Sequence, residues 1–162
     1  MKALIFGPSG SGKTYIANTL QQERINAFDA DEISELFAWY DHQRKRIVKT
    51  VSTEEALKNH YSFLWDKEFL KSFLSQHSEV YLFGGSGNVF DMLDLFDKVF
   101  FLKIEPGLQR QRLIKRNLAT DFKDGELIVW GDWFEQEAVK RNVQLIDASL
   151  STEEICRIII SK

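Results

Sequence analysis

The sequence predicts an α/β fold, with five parallel strands in one sheet and helices packed on both faces. Three observations predict it. Five short apolar runs alternate along the chain with longer stretches of helical spacing. The runs are β-branched or aromatic and nearly continuous, as in strands buried on both faces. Each is bounded by turn residues, and the first leads straight into a glycine-rich loop.

The elements follow in chain order. Residues 3–6 read as the first strand, 7–14 as the loop, and a helix continues to about residue 22. The second strand spans 25–29, and the third spans 80–83 and stops at Gly84-Gly85. The fourth spans 99–102 after Asp97-Lys98, and the fifth spans 143–146 and ends at Asp147. Ser52 and Glu55 have capping-box spacing before a long helical stretch in which Leu57, Tyr61, Leu64, Phe69 and Phe73 recur. Pro106 suits the first turn of a helix running to about Arg116. Ser151 and Glu154 repeat the capping pattern before Ile155, Ile158 and Ile159. Right-handed crossovers then distribute the helices over both faces. Residues 31–78 hold no strand candidate, and 117–131 turn from polar to apolar. Both read as insertions over the carboxyl ends of the strands, where open sheets bind ligands.

Composition narrows the class. The 162 residues fit one domain, 1–162, with enough surface to bury a single core. Twenty-one Lys+Arg against 24 Asp+Glu give a net charge of -3, so nucleic acid is not expected as a partner. A single cysteine, Cys156, leaves no internal disulfide and fits a reducing compartment. No apolar run approaches the ~20 residues of a membrane span, and the N-terminal apolar stretch is too short for a signal peptide. A cytoplasmic monomer or homodimer is the expectation.

The strongest motif is Gly7-Pro8-Ser9-Gly10-Ser11-Gly12-Lys13-Thr14, which satisfies G-x-x-x-x-G-K-[ST] between a strand and a helix. Glycines let backbone amides converge on phosphate oxygens, and the helix N-terminus favours the anion. Lys13 brings charge to the β- and γ-phosphates, and the Thr14 hydroxyl can ligate Mg²⁺. Tyr15 follows directly and joins the nucleotide-binding candidates. Neither N-K-x-D nor D-x-x-G after a strand is present, which argues against a regulatory GTPase and leaves small kinases.

Further candidates sit at strand ends. In Asp29-Ala30-Asp31, Asp31 reads as the N-cap of a following helix, as a hydrogen-bond acceptor or general base for an acceptor hydroxyl, or as both. Asp29 suits Mg²⁺ through water. Gly84-Gly85-Ser86-Gly87 is a simple turn or a place where substrate approaches the backbone, with Asn88 starting the next helix. Arg110, Arg112 and Arg116 form a solvated basic face or neutralise a transferring phosphoryl group. The cluster 42–49, with Arg44 and Arg46, reads as a charged surface helix or as a binder of acidic acceptor groups. Trp39, Tyr40, Tyr61 and Trp65 can stack on a base or fill core, and the helical spacing of Tyr61 and Trp65 favours core. His60, His77 and Cys156 carry no metal spacing and read as ordinary packing residues.

The phosphate loop, Asp29-Ala30-Asp31, Gly84-Gly85 and the arginine-bearing helix at 106–116 together resemble the adenylate, shikimate and gluconate kinase group over nearly the whole chain. The resemblance implies a three-layer P-loop NTPase fold with sheet order 2-3-1-4-5, and ATP with Mg²⁺ as cofactors. It implies an acceptor-binding segment at 31–78 and a lid at 117–131. It sets Arg110 near adenine, Arg116 at the lid edge, and Ser149, in the 146–149 stretch, beside adenine. The chain departs from the pattern in two places. Residues 117–131 contain Lys123 but no arginine, and Leu145 stands where a shikimate kinase carries one. The expected activity is transfer of the γ-phosphoryl group to a small molecule, with a nucleoside or nucleotide ahead of a polyol or sugar acid. The alternative is a nucleotide-binding sensor or assembly protein with slow hydrolysis.

Overall fold

Strand β1 (Lys2–Phe6) lies at the centre of the main sheet, and its sequence says why. Ala3 and Ile5 point to one face, Leu4 and Phe6 to the other, and all four are fully buried. The computed structural model describes residues 1–49, 51–115 and 124–161. On one side of β1 lie β6 (Val80–Phe83) and then β2 (Ala27–Asp29). On the other lie β7 (Lys98–Lys103) and then β8 (Gln144–Asp147). All four pairings are parallel. Counting these five strands alone, the order is 2-3-1-4-5, as the resemblance implies.

Helices cover both faces. Helices α1 (Lys13–Gln22) and α6 (Thr152–Ile160) pack Ile16, Ala17, Leu20, Ile155, Cys156 and Ile159 on one side. The capping box at Ser151 and Glu154 is formed in both directions and starts α6. On the other face α3 (Lys67–Ser75), a 3₁₀ helix (Val89–Leu95) and α5 (Asp124–Lys140) bury Leu70, Leu74, Met92, Phe134 and Ala138. Among the described residues no helix is long and apolar enough to cross a membrane.

The segment 31–78 overturns the expectation of a strand-free insertion with one long helix. It forms a second sheet of β3 (Phe37–Asp41), β4 (Arg46–Val48) and β5 (Ser62–Trp65), antiparallel in the order β4-β3-β5. The expected long helix is cut in two. Helix α2 (Thr53–Lys58), capped by the Ser52 hydroxyl, ends near His60, whose φ is 56°. Asp66 then accepts the Glu68 and Phe69 amides and starts α3. Cross-strand aromatic packing holds the residues between as a strand: Phe63 lies 4.8 Å from Phe37 and 5.2 Å from Trp39. The cluster 42–49 is not a helix: 42–45 make a tight connection from β3, and Arg46–Val48 are β4. Buried Asp41 accepts from the Gln43 and Arg44 amides, and Lys45 adopts a φ of 51°. The second half of the expected lid begins α5, whose Phe134 is core. Residues 117–123 of that lid lie outside the described residues.

Candidate active site

Sheet register builds the site. Ile5, Phe83 and Asp29 share one row across β1, β6 and β2. The phosphate loop, the glycine run at 84–87 and the Asp29–Asp31 turn therefore leave the sheet at the same edge, the ligand edge of an open parallel sheet.

In the phosphate loop Gly12 has a φ of 99° as it enters α1, a conformation that glycine adopts without steric cost. Lys13 Nζ donates to the carbonyls of Gly7 at 2.7 Å and Pro8 at 3.0 Å. The Ser11 hydroxyl is buried and has no hydrogen-bond partner among the described residues. Such an orphan group at the mouth of a helix N-terminus fits a phosphate oxygen.

Thr14 Oγ1 donates to Asp29 Oδ2 at 2.6 Å, and Asp29 Oδ1 accepts the Asp31 amide at 3.0 Å. Asp29 is thus the N-cap of the 3₁₀ turn Ala30–Glu32, which corrects the capping role read for Asp31. Asp31 is left to line a cavity. Asp31 is exposed by surface area, yet the desolvation its surroundings impose, and secondarily the Asp29 charge, push its carboxyl above the ordinary range, while Lys13 opposes them. A hydroxyl and a carboxylate fit Mg²⁺, which commonly takes one or two protein oxygens plus phosphates and water. No group of three or more acidic, histidine or cysteine ligands occurs among the described residues, so this pair is no self-sufficient metal cage.

Three arginines were candidates on α4 (Pro106–Lys115) and just beyond it. Arg112 is the one that grips the loops. It donates to the carbonyls of Gly10 at 3.2 Å, Ser11 at 3.4 Å and Ala148 at 2.9 Å. Gln109, also on α4, donates to the Ser9 carbonyl at 2.9 Å. Arg110 is exposed on the same helix, and Arg116 lies outside the described residues. Tyr15 is 64% exposed. Ser149 is exposed, and its amide donates to Asp147, holding that carboxyl below its usual range.

The two glycines assigned to substrate differ. A Cβ on Gly84 would stand 2.5 Å from Ala30 Cβ and 3.2 Å from the Trp65 ring, so Gly84 lets the sheet edge close. A Cβ on Gly85 would meet nothing within 4 Å, and Gly85 lines the cavity. Asn88, read only as a helix start, has a second role. Its side chain accepts from Trp65 N–H at 2.9 Å and donates to Trp65 C=O at 3.0 Å, like one residue of a partner strand. The Gly87 amide adds a bond to the Phe63 carbonyl at 2.8 Å. These contacts splice β5 to the end of β6. No sequence pattern marks them, because they join positions far apart in the chain.

The cavity measures about 500 Å³. Gly7, Pro8, Ser9 and Lys13 close one part of it, and Asp31, Gly85, Ser86 and Gly87 another. Phe37, Trp39, Leu57, Tyr61, Phe63, Trp130 and Phe134 supply the rest. Arg44 and Arg46 are not part of this lining. Arg44 pairs with Asp41 at 3.2 Å, and Arg46 is exposed on β4. Trp65 is core, as its spacing suggested, but Tyr61 lines the cavity. Trp130 and Phe134 were missed, although their i, i+4 spacing was a legible signal of a shared helix face.

No protein-family model matches the sequence, and no curated protein matches it. Solved structures do match, over nearly the whole chain. A shikimate kinase from Acinetobacter baumannii, in complex with shikimate, has 17% identity and a TM-score of 0.59, covering 98% of this chain and 92% of its own. A deoxyadenosine kinase from M. mycoides with bound dATP has 17% identity and a TM-score of 0.58, covering 99% and 97%. A gluconokinase from Sinorhizobium meliloti 1021 has 11% identity and a TM-score of 0.54, covering 99% and 89%. At these identities the likeness is one of fold, and the fold is that of the small P-loop kinases.

Proposed function

We propose that the protein is an ATP-dependent phosphotransferase that moves the γ-phosphoryl group to the hydroxyl of a small molecule, with a nucleoside or nucleotide ahead of a polyol or sugar acid. One observation carries this reading: Asp31 and the phosphate loop, Lys13 included, line the same cavity, and Asp29 joins the two through bonds from the Thr14 hydroxyl and the Asp31 amide. A phosphate-binding loop alone would serve a hydrolase or a sensor equally well. A carboxylate facing it across a substrate-sized space suits a hydroxyl acceptor.

In this reading the loop amides and Lys13 hold the phosphates and stabilise charge on the transferring group. Mg²⁺, when bound, would supply charge neutralisation to the phosphates. Thr14 and Asp29 would hold it. Asp31 orients the acceptor hydroxyl and takes its proton, a role its raised pKa suits. Arg112 fixes the loop's shape and faces the nucleotide through Gly10, Ser11 and Ala148, while Arg110 and Arg116 remain candidates for charge neutralisation. Catalysis is then mostly positioning and electrostatics. The test is ADP release from Mg-ATP with and without a pool of hydroxyl acceptors. Stimulation of at least about tenfold by one acceptor is the expected result, a change of ~1.4 kcal/mol in barrier. Slow release that no acceptor changes would favour the sensor reading instead.

A further inference from the structure

We infer that the acceptor is an uncharged nucleoside, entering without a phosphate or carboxylate of its own; this rests on the phosphotransferase reading above. The cavity that Asp31 lines takes aromatic rings from two parts of the fold, Phe37, Trp39 and Phe63 from the antiparallel sheet and Trp130 and Phe134 from α5. Among the described residues its charged lining is Asp31 and Lys13 alone. Lys13 sits at the phosphate-loop end, bonded to the Gly7 and Pro8 carbonyls. Among the described lining residues, an acceptor carrying its own anion would meet aromatic walls and the Asp31 carboxylate, and Lys13 as the one cation. An anion left unpaired in apolar surroundings is strongly disfavoured.

Size and position agree. The volume of about 500 Å³ falls within the range of small-molecule pockets. None of α4 and none of the 147–149 loop, where the resemblance sets the donor's adenine, lines it. Aromatic walls suit a base, which stacks through its π-face, and give a polyol or sugar acid nothing comparable. The sugar hydroxyl then meets Asp31. Its oxygen bonds to the γ-phosphorus and its proton passes to Asp31. The bond from the γ-phosphorus to the bridging oxygen breaks, and ADP leaves.

The test uses the full chain with Mg²⁺ and a non-hydrolysable ATP analogue. Calorimetry compares adenosine, guanosine, cytidine, uridine and thymidine with their 5′-monophosphates, gluconate and shikimate. The same compounds are then assayed for ADP release from Mg-ATP. At least one nucleoside should bind about tenfold or more tightly than its monophosphate and the acids, and should stimulate ADP release. Trp39→Ala and Trp130→Ala should each weaken that nucleoside about tenfold, the size of one base–aromatic stack, with analogue affinity unchanged. Trp39→Phe should restore most of the loss. A monophosphate or sugar acid that binds better overturns the inference and leaves the phosphotransferase reading standing. Nucleoside binding without stimulated release sinks that reading, and with it the nucleoside's role as acceptor. No nucleoside binding, or tryptophan variants with unchanged affinity, overturns the inference.

Discussion

The two halves of the cleft are built by opposite rules. The donor half is backbone: a glycine loop, a helix N-terminus and carbonyls held by Arg112 and Gln109. Its chemistry lies in one short run of adjacent residues. The half that the proposed reading gives to the acceptor is side chain: rings from β3, β5 and α5 together with Asp31, on elements scattered over some hundred positions. The difference teaches where specificity resides. Phosphate is the same in every triphosphate, so a fixed backbone cradle suffices.

The sharpest way to break this contrast is at Lys13, which borders both halves. Lys13→Ala should lower ADP release by about 100-fold or more, the scale of losing one charge-stabilising donor. It should also abolish triphosphate binding in calorimetry, while nucleoside affinity in the absence of ATP stays within about twofold. Unchanged analogue affinity would refute the loop assignment, and a parallel loss of nucleoside binding would merge the halves into one.

The joint between the halves comes next. Gly84→Ala drives a methyl into Ala30 and Trp65, and overpacking of this kind costs about 1–3 kcal/mol. Tm should fall by about 3–10 °C. Gly85→Ala, with open space around it, should leave Tm within about 1 °C while altering acceptor affinity. Equal Tm losses in thermal melts would mean that both glycines serve only the fold. Asn88→Ala leaves the Trp65 N–H and C=O without partners and should cost about 1–3 kcal/mol in urea unfolding. A silent Asn88→Ala would show that this splice contributes little.

On the donor side Arg112→Lys sharpens the comparison further. A lysine is a single point donor and cannot reach Gly10, Ser11 and Ala148 together as the guanidinium does. Analogue affinity should fall about tenfold, or ~1.4 kcal/mol, with nucleoside affinity unchanged.

The same division explains what could be read from the chain. The five strands of the main sheet and the phosphate loop were legible because apolar runs and a contiguous motif report local structure, whereas the order of those strands came only from the resemblance to the kinase group. The antiparallel sheet was not legible. Leu57, Tyr61 and Leu64 have helical spacing, yet the turn at His60 and the cap at Asp66 break the helix, and ring packing against Phe37 and Trp39 makes a strand. Arg112 and Asn88 were illegible for a related reason. Both bond to backbone distant in sequence, and nothing in residue type signals which arginine of α4 points inward.

The smallest expected effect tests whether Asp31 belongs to the acceptor half by design of its surroundings. Burial and Asp29 raise its pKa in the folded protein. The folded chain therefore holds that proton more tightly than the unfolded chain, whose value is ~3.9. The stabilising contribution is complete below the unfolded pKa and is lost as pH rises through the folded one. Asp31→Asn removes that dependence. Its Tm should equal the parent's at low pH and exceed it at neutral pH by on the order of 1 °C, since the side chain is partly open to solvent. Acceptor-stimulated ADP release should fall in the same variant by about 100-fold or more. A side chain that costs stability yet is required for transfer is one held in place by what it does to substrate. A Tm that drops at neutral pH would instead assign Asp31 to structural support of the turn, and the acceptor half would lose its base.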